Sequence, residues 1–491
     1  MNLSLALESR IGRTPDATAI EGVDGNWTFA TLAERARRGA AWLPASATAE
    51  GAAVALLMPG DARFVAWFHA VALAGRPVLP LNARLTAGEI AQQLAGAGAR
   101  ILLGDASDDR LATIGAQVPG LAALAAPDLD RLPPPAGRMP GEQAPSDATL
   151  AVLYTSGTSG RSKGACLSWR NFEASAAASL ERLGPAVRGR WLACMPLYHV
   201  GGLSILVRSV LYGGPVRLLP RFDAEAVSDA LDTGDVAGVS LVPTMLSRLL
   251  AERGGRPAPA GLEVLLLGGA AASRDLLTRA HEAGFPVCTT YGLTEATSQV
   301  ATARPWRRGA VDRPPLVPLH GTELRIVADD RDAPAFVAGE IVVRGPTVMR
   351  GYLNDPVATA RAIRDGWLYT GDIGFLDAAG GLHVLDRRDD LVVSGGENVY
   401  PAEVEAVLLE HPSVAEAAVA GLPDADLGSR VVAWIVAKPG AATDAQALSG
   451  HCGARLAGYK RPREFRFVGA LPRTTEGKLQ RRRLTETAGN T

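Results

Sequence analysis

The sequence predicts an α/β fold with an α+β C-terminal domain. A large N-terminal domain of parallel-sheet βαβ units carries a β-rich subdomain, and a small C-terminal domain follows. Three observations predict this. Short apolar runs alternate with helical patterns through the first half, closely spaced alternating strands begin near residue 320, and a compact stretch with its own helix and strands follows residue 387. At 491 residues the chain also exceeds the roughly 250–300 residues at which a single hydrophobic core stops growing, so at least two domains are expected. The boundaries read as 1–386 and 387–491.

The elements follow in order. AAVALLMP (52–59) has the continuous apolar character of a buried strand, and an amphipathic helix is expected from Asp61 to Ala74. RPVLPLN (76–82) is the next strand. A helix opens at Thr86, with Glu89 three residues on in capping-box spacing. RILLGD (100–105), WLACMP (191–196), VRLLP (216–220), GVSLVP (238–243) and EVLLLGG (263–269) continue the series. Strands separated by helices imply parallel pairing, with both sheet faces covered. The Pro-, Ala- and Gly-rich stretch at 130–147 reads as a surface connection. TELRIVA and GEIVVRG supply the β-rich subdomain; the helix from Pro401 to His411 and the strands AEAAVAGL and RVVAWIVA supply the last domain.

Composition excludes several classes. Fifty Lys plus Arg against 51 Asp plus Glu give a formal charge of −1, which offers no global attraction to nucleic acid or to an anionic membrane. Any anionic ligand must be held locally. Cys166, Cys194, Cys288 and Cys452 form no CxxC pair, a usage that suits a reducing compartment without disulfides or structural zinc. The N-terminus lacks a signal-peptide pattern, and the longest apolar runs fall short of the ~20 residues of a membrane helix. A soluble, cytoplasmic protein is expected.

The strongest local motif is Tyr154-Thr-Ser-Gly-Thr-Ser-Gly-Arg-Ser-Lys163-Gly164, directly after an apolar strand. Glycines and small hydroxyl residues let the backbone approach a phosphate chain, their N–H groups form an anion nest, and Lys163 adds charge. It is not a Walker A loop, which needs Gly before the lysine where Ser162 stands. Tyr291-Gly-Leu-Thr-Glu295, Gly268-Gly-Ala270, Tyr369-Thr-Gly-Asp372 and Asp386-Arg-Arg-Asp389 accompany it.

In this order and spacing, the motifs resemble those of the acyl-adenylate-forming superfamily, which includes acyl-CoA ligases, luciferases and peptide-synthetase adenylation domains. The resemblance spans about residues 10–485 and implies ATP, Mg2+ and coenzyme A as cofactors. Thr155, Ser156, Gly157, Thr158, Ser159, Gly160 and Lys163 would hold phosphate. Ser159 and Ser162 replace the usual Thr and Pro. Tyr291 and Gly292 would meet adenine on one side and Gly268, Gly269 and Ala270 on the other. Thr294 would touch phosphate, Glu295 would hold magnesium, and Asp372 and Arg387 would grip the ribose. Lys478 resembles the lysine that reaches the reacting carboxylate during adenylation. Asp389 matches the hinge about which the family rotates a mobile small domain, bringing Ser394, Gly395 and Gly396 in for thioester formation.

Met195-Pro-Leu-Tyr-His199-Val-Gly-Gly202, Thr294-Glu-Ala-Thr-Ser298-Gln299 and Ser394-Gly-Gly-Glu-Asn-Val-Tyr-Pro look closest to the branch that joins o-succinylbenzoate to coenzyme A for menaquinone synthesis. His199, Ser240, Val242, Pro243, Ser298 and Gln299 would then line the acyl pocket, His199 at its mouth. Arg84 and Lys460 resemble residues that meet the nucleotide end of coenzyme A in benzoate-type ligases. Leu427 departs from a tryptophan often found on the CoA path. Other aromatic or fatty acids stay open as substrates, as does an amino-acid adenylation enzyme loading a carrier protein. The expected partners are small molecules: a carboxylic acid, ATP and CoA, with no nucleic acid and no membrane span. The sequence leaves homo-oligomerisation open.

Overall fold

The computed structural model describes residues 2–23, 25–43, 52–134, 137, 139–155, 163–387, 392–394, 397–424, 427–441, 444–456, 458–474 and 479–486. The chain forms two compact units. One comprises Met1–Gly269, His281–Glu323 and Val343–Leu368; the other comprises Ala270–Ala280, Leu324–Val342 and Tyr369–Thr491. The boundary expected near 387 falls within the second unit, because the strand Leu382–Arg387 pairs with Trp367–Leu376 and sits with the residues that follow.

The first unit contains two large sheets. In one, Val287–Tyr291, Val264–Leu267, Val236–Leu241, Arg190–Ala193, Val216–Leu218 and Thr18–Gly22 run parallel in that order. Antiparallel strands close its margins. In the other, Thr149–Thr155, Val78–Pro80, Val54–Leu57, Ile101–Gly104 and Ala122–Ala125 are parallel. Lys163–Ser168 and then Gly351–Tyr352 add antiparallel to its outer side. The parallel βαβ architecture is the one the sequence predicts. Val54–Leu57 is buried at every position, as a strand covered on both faces must be. The Thr86–Glu89 capping box forms, and its helix Ala87–Ala97 ends on left-handed Gly98.

Two local expectations change. The helix Ala62–Leu73, capped by Asp61, is not amphipathic: every residue except Arg63 is buried, so it lies inside the unit. The 130–147 connection is also anchored. Asn2 Nδ2 donates to the carbonyls of Gly141 (3.0 Å) and Ala144 (2.7 Å), and a Cβ at Gly141 would lie 2.1 Å from the Ala72 carbonyl oxygen.

Burial of that central helix has an electrostatic consequence. His69 is 1% exposed, neither ring nitrogen has a hydrogen-bond partner among the described residues, and burial lowers its pKa to about 3. The unfolded chain takes up this proton near pH 6.5, whereas the folded chain stays neutral until about pH 3. Stability from this group is therefore fully present above pH 6.5 and falls by about 1.4 kcal/mol per pH unit below it. His69→Leu should show a shallower loss of thermal midpoint between pH 6.5 and 4.5. Parallel acid profiles for variant and parent would refute this.

Gly339–Arg344, Trp367–Leu376 and Leu382–Arg387 are successive neighbours in a sheet continued by Glu323–Ala328, most of whose residues belong to the second unit. The last residues form a three-stranded sheet of Val414–Asp424, Gly428–Ala437 and Glu464–Phe467. The helices Pro401–Leu409 and Ala445–Gly453 pack on it through a core that includes Val404, Leu408, Val431, Ile435 and Leu448. All four cysteines are buried and free. Among the described residues, no helix is long and apolar enough to cross a membrane.

Candidate active site

The carboxyl ends of neighbouring parallel strands leave a crevice in which α/β proteins bind ligands. Here Leu241, Leu267 and Thr289 are in register across three such strands. The segments that leave them, Val242-Pro243, Gly268-Gly269 and Gly292, therefore emerge side by side. A Cβ at Gly268 would lie 2.7 Å from Thr290 Cγ2, and one at left-handed Gly269 would lie 3.2 Å from Val242 Cγ1. The two glycines admit a close approach that larger residues would block. Ala270 follows in sequence and belongs to the second unit.

After Tyr291 the chain folds back on itself. Ser298 N–H donates to the Leu293 carbonyl (3.2 Å) and Val300 N–H to the Tyr291 carbonyl (2.9 Å). Glu295 occupies a short 3-10 turn, Thr294–Ala296, and Thr297 and Ser298 take left-handed conformations with φ of 52° and 85°. Buried hydroxyls hold this unusual backbone: Ser175 Oγ donates to the Thr297 carbonyl (2.8 Å), and Thr297 Oγ1 donates to the Thr347 carbonyl (2.6 Å).

Thr155 ends a strand and Lys163 begins the next, and the two are cross-strand partners. Thr155 Oγ1 donates to the Lys163 carbonyl at 3.4 Å. Ser156, Gly157, Thr158, Ser159 and Gly160 lie outside the described residues, as do Asp389, Gly395, Gly396 and Lys478. A residue that sequence reasoning missed links the two motifs. Tyr352 Oη donates to Glu295 Oε1 (2.9 Å), and Lys163 Nζ stands 5.1 Å from the centroid of the Tyr352 ring. Its only sequence signal is an aromatic residue in a two-residue strand.

His199 caps the helix Val200–Tyr212 with its backbone, and its ring lies 4.6 Å from that of Tyr198. A Cβ at Gly202 would lie 2.4 Å from the Pro196 carbonyl oxygen, which explains the glycine two residues into the helix. Two residues expected in the acyl pocket have other engagements. Buried Ser240 accepts a hydrogen bond from Trp191 Nε1 (3.2 Å). Buried Gln299 accepts from Ser179 Oγ and donates to Thr302 Oγ1 (3.0 Å). Each keeps further capacity: the Ser240 hydroxyl can still donate, and the Gln299 amide retains a second N–H. Val242 lies beside Gly269, and the Ser298 carbonyl lies beside Gly292.

In the second unit, Asp372 is 7% exposed, its backbone is paired with that of Arg387, and its N–H donates to Thr370 Oγ1 (3.1 Å). Ser394 is buried at the end of a short hairpin strand. Lys460 forms an ion pair with Glu403 at 2.7 Å, while Arg84 is exposed in the first unit.

Among the described residues, no group of three or more His, Cys, Asp or Glu side chains could hold a metal unaided. A cation at Glu295 would share one carboxylate with phosphate oxygens and water, the donor set magnesium adopts on nucleotides. The residues fit that ion.

Comparisons with known proteins identify the family. Residues 7–353 match the AMP-binding enzyme family and residues 403–478 the AMP-binding enzyme C-terminal domain. A 2-succinylbenzoate–CoA ligase of Geobacillus kaustophilus is 42% identical, covering 97% of this chain and 96% of its own length. The o-succinylbenzoate CoA synthetase of Bacillus subtilis, solved with the acyl-adenylate OSB-AMP, superposes with a TM-score of 0.89 at 37% identity over 98% of this chain and 97% of its own. The same enzyme solved with ATP and magnesium ion gives 0.88 at 37% identity, over 98% of each chain. With both family regions matched and relatives similar along nearly the whole length, the chain belongs to the AMP-binding enzyme family.

Proposed function

We propose that this protein is an ATP-dependent, AMP-forming acid–CoA ligase whose acid is o-succinylbenzoate, the acyl donor for a step of menaquinone synthesis. The observation that carries this is the joining of Lys163, Tyr352 and Glu295 beside the glycine-lined crevice, in a chain 42% identical to a 2-succinylbenzoate–CoA ligase over nearly its full length. In the first step a carboxylate oxygen attacks the α-phosphorus of ATP. The bond to the pyrophosphate oxygen breaks, and acyl-AMP forms. In the second, the CoA thiol loses its proton and attacks the acyl carbon, and AMP leaves with the bonding electrons.

The roles of the residues follow from their chemistry. Lys163 offers charge to the phosphate chain, and Glu295 offers an oxygen ligand to the metal. Magnesium, when bound, neutralises charge on the departing pyrophosphate. Asp372 accepts from ribose hydroxyls, and Lys478 supplies positive charge where the adenylation transition state needs it. Val242 and Pro243 give the aromatic ring flat apolar walls. Ser298 is a polar partner for the ring carboxylate, which would otherwise be a costly unpaired charge. Ser240 and Gln299 support this pocket from within the core.

Incubation with o-succinylbenzoate, ATP, Mg2+ and CoA should yield AMP, pyrophosphate and the acyl-CoA in equal amounts. ADP and orthophosphate as stoichiometric products would overturn the mechanism. Benzoylpropionate, which lacks the ring carboxylate, should lose kcat/KM by at least about tenfold, or ~1.4 kcal/mol. Faster activation of benzoate or a medium-chain fatty acid would overturn the substrate assignment alone.

A further inference from the structure

Tyr352 has a position that none of the motifs explains. Its strand adds to the outer side of Lys163–Ser168, with Tyr352 opposite Ala165. Lys163, two residues from Ala165, projects from the same face of the sheet and is the diagonal neighbour of Tyr352, within reach of a long side chain. Accordingly the Lys163 ammonium stands 5.1 Å from the ring centroid while the phenol donates to Glu295 Oε1 at 2.9 Å. One side chain therefore touches both the cation at the end of the phosphate loop and the acid expected to hold the metal.

The surroundings fix this arrangement. Tyr352 N–H donates to Thr359 Oγ1 (2.9 Å), and Met349 N–H donates to the Glu295 carbonyl (2.8 Å). Asn171 Nδ2 donates to the carbonyls of Pro346 (2.7 Å) and Val348 (2.9 Å). The 346–352 segment is thus tied to the turn that carries Glu295, so the phenol meets a carboxylate whose backbone cannot drift away. A Cβ at Gly351 would lie 2.7 Å from Thr359 Cγ2, and its φ of 141° disfavours a side chain. The strand can therefore enter at this angle only with glycine before the tyrosine.

We propose that Tyr352 is a positioning residue for the metal–nucleotide complex, a role that rests on the assignment of Glu295 as the metal ligand. Its hydroxyl engages Glu295 Oε1 and so orients the carboxylate that would meet the cation. Its ring face restrains Lys163 over the same ground, so lysine and metal meet one phosphate chain in a fixed relation. A carboxylate that binds a metal is oriented by its own hydrogen-bond partner, and loss of such a partner costs about 10–100-fold in metal affinity or activity.

The test is calorimetric titration of a non-hydrolysable ATP analogue into the full-length protein, without metal and at graded Mg2+, together with thermal melting. Tyr352→Phe keeps the ring and removes the hydroxyl. It should raise the half-saturating Mg2+ about tenfold, leave metal-free nucleotide affinity within about twofold of wild type, and melt with the parent. Tyr352→Leu also removes the ring face and should weaken metal-free binding by a further two- to fivefold or so, the worth of an exposed cation–π contact. Equal losses with and without metal in Tyr352→Phe, accompanied by a lower melting temperature, would mark a merely structural tyrosine and overturn the proposal. Glu295→Gln separates the two claims. If it shifts the Mg2+ dependence while Tyr352→Phe does not, only the role of Tyr352 fails. If it leaves that dependence unchanged, the assignment of Glu295 fails and takes the proposal with it.

Discussion

Replacing Lys478 with alanine should cut formation of acyl-AMP by about 10²–10³-fold, because one preorganised charge at a developing anion is worth that much in rate. Thioester formation from chemically prepared acyl-AMP should be largely spared. In that step the rotation of the small domain that the family resemblance implies would carry this lysine away from the reacting atoms. ATP–pyrophosphate exchange reads the first half-reaction, and release of AMP from acyl-AMP plus CoA reads the second. Equal losses in both would show that Lys478 supports the fold rather than the chemistry. Lys478→Arg keeps the charge but spreads it over a planar group with a different reach, so it should recover only part of the exchange rate.

Gly292→Ala should have the largest effect on the crevice itself. An added Cβ would lie 1.5 Å from the Ser298 carbonyl oxygen. That oxygen cannot retreat cheaply, because the Ser298 and Val300 N–H groups tie the same loop back to Leu293 and Tyr291. Thr297 and Ser298 already hold left-handed conformations. Overpacking a backbone in this way should cost about 3 kcal/mol, the upper end of the usual range, and should displace both Tyr291 and Glu295. The expected result is a lowered thermal midpoint together with loss of nucleotide binding by calorimetry. Gly88→Ala is the control: a Cβ there meets nothing within 4 Å, and alanine in a helix is neutral or stabilising. A Gly292→Ala protein that binds ATP normally would show that the turn tolerates rearrangement.

Backbone features governed by nearby residues were legible in the sequence. The parallel strands, the Thr86–Glu89 box and the glycines after Leu267 and Tyr291 each follow from a local rule, and each is found where that rule places it. Features set by distant partners were not. Ser240 reads as a polar residue near the end of a strand, but its hydroxyl receives the Trp191 indole from a neighbouring strand. Gln299 follows the adenine motif, yet its amide is bonded to Ser179 on a helix more than a hundred residues earlier. Lys460 resembles a residue that meets the nucleotide end of coenzyme A, and its ion pair with Glu403, 2.7 Å away and 57 residues earlier, has no local signature. The helix 62–73 is not amphipathic, because its position inside the unit is set by distant packing: every residue except Arg63 is buried, and His69 is enclosed without a hydrogen-bond partner among the described residues. Tyr352 escaped notice because a two-residue strand has no periodicity to detect.

The same short strand has a consequence for biosynthesis. Lys163–Ser168 is buried at every position after the first, yet until Gly351–Tyr352 arrives it is an open sheet edge. On the ribosome, at ~5–20 residues per second, residue 351 follows residue 168 by roughly 10–40 s. For that interval the nascent chain displays an apolar strand with unpaired N–H and carbonyl groups, the kind of template that recruits other chains. The residues that bring Tyr352 to Glu295 therefore also close the hazard, and a translational pause between the two segments would lengthen the exposure and favour aggregation over assembly.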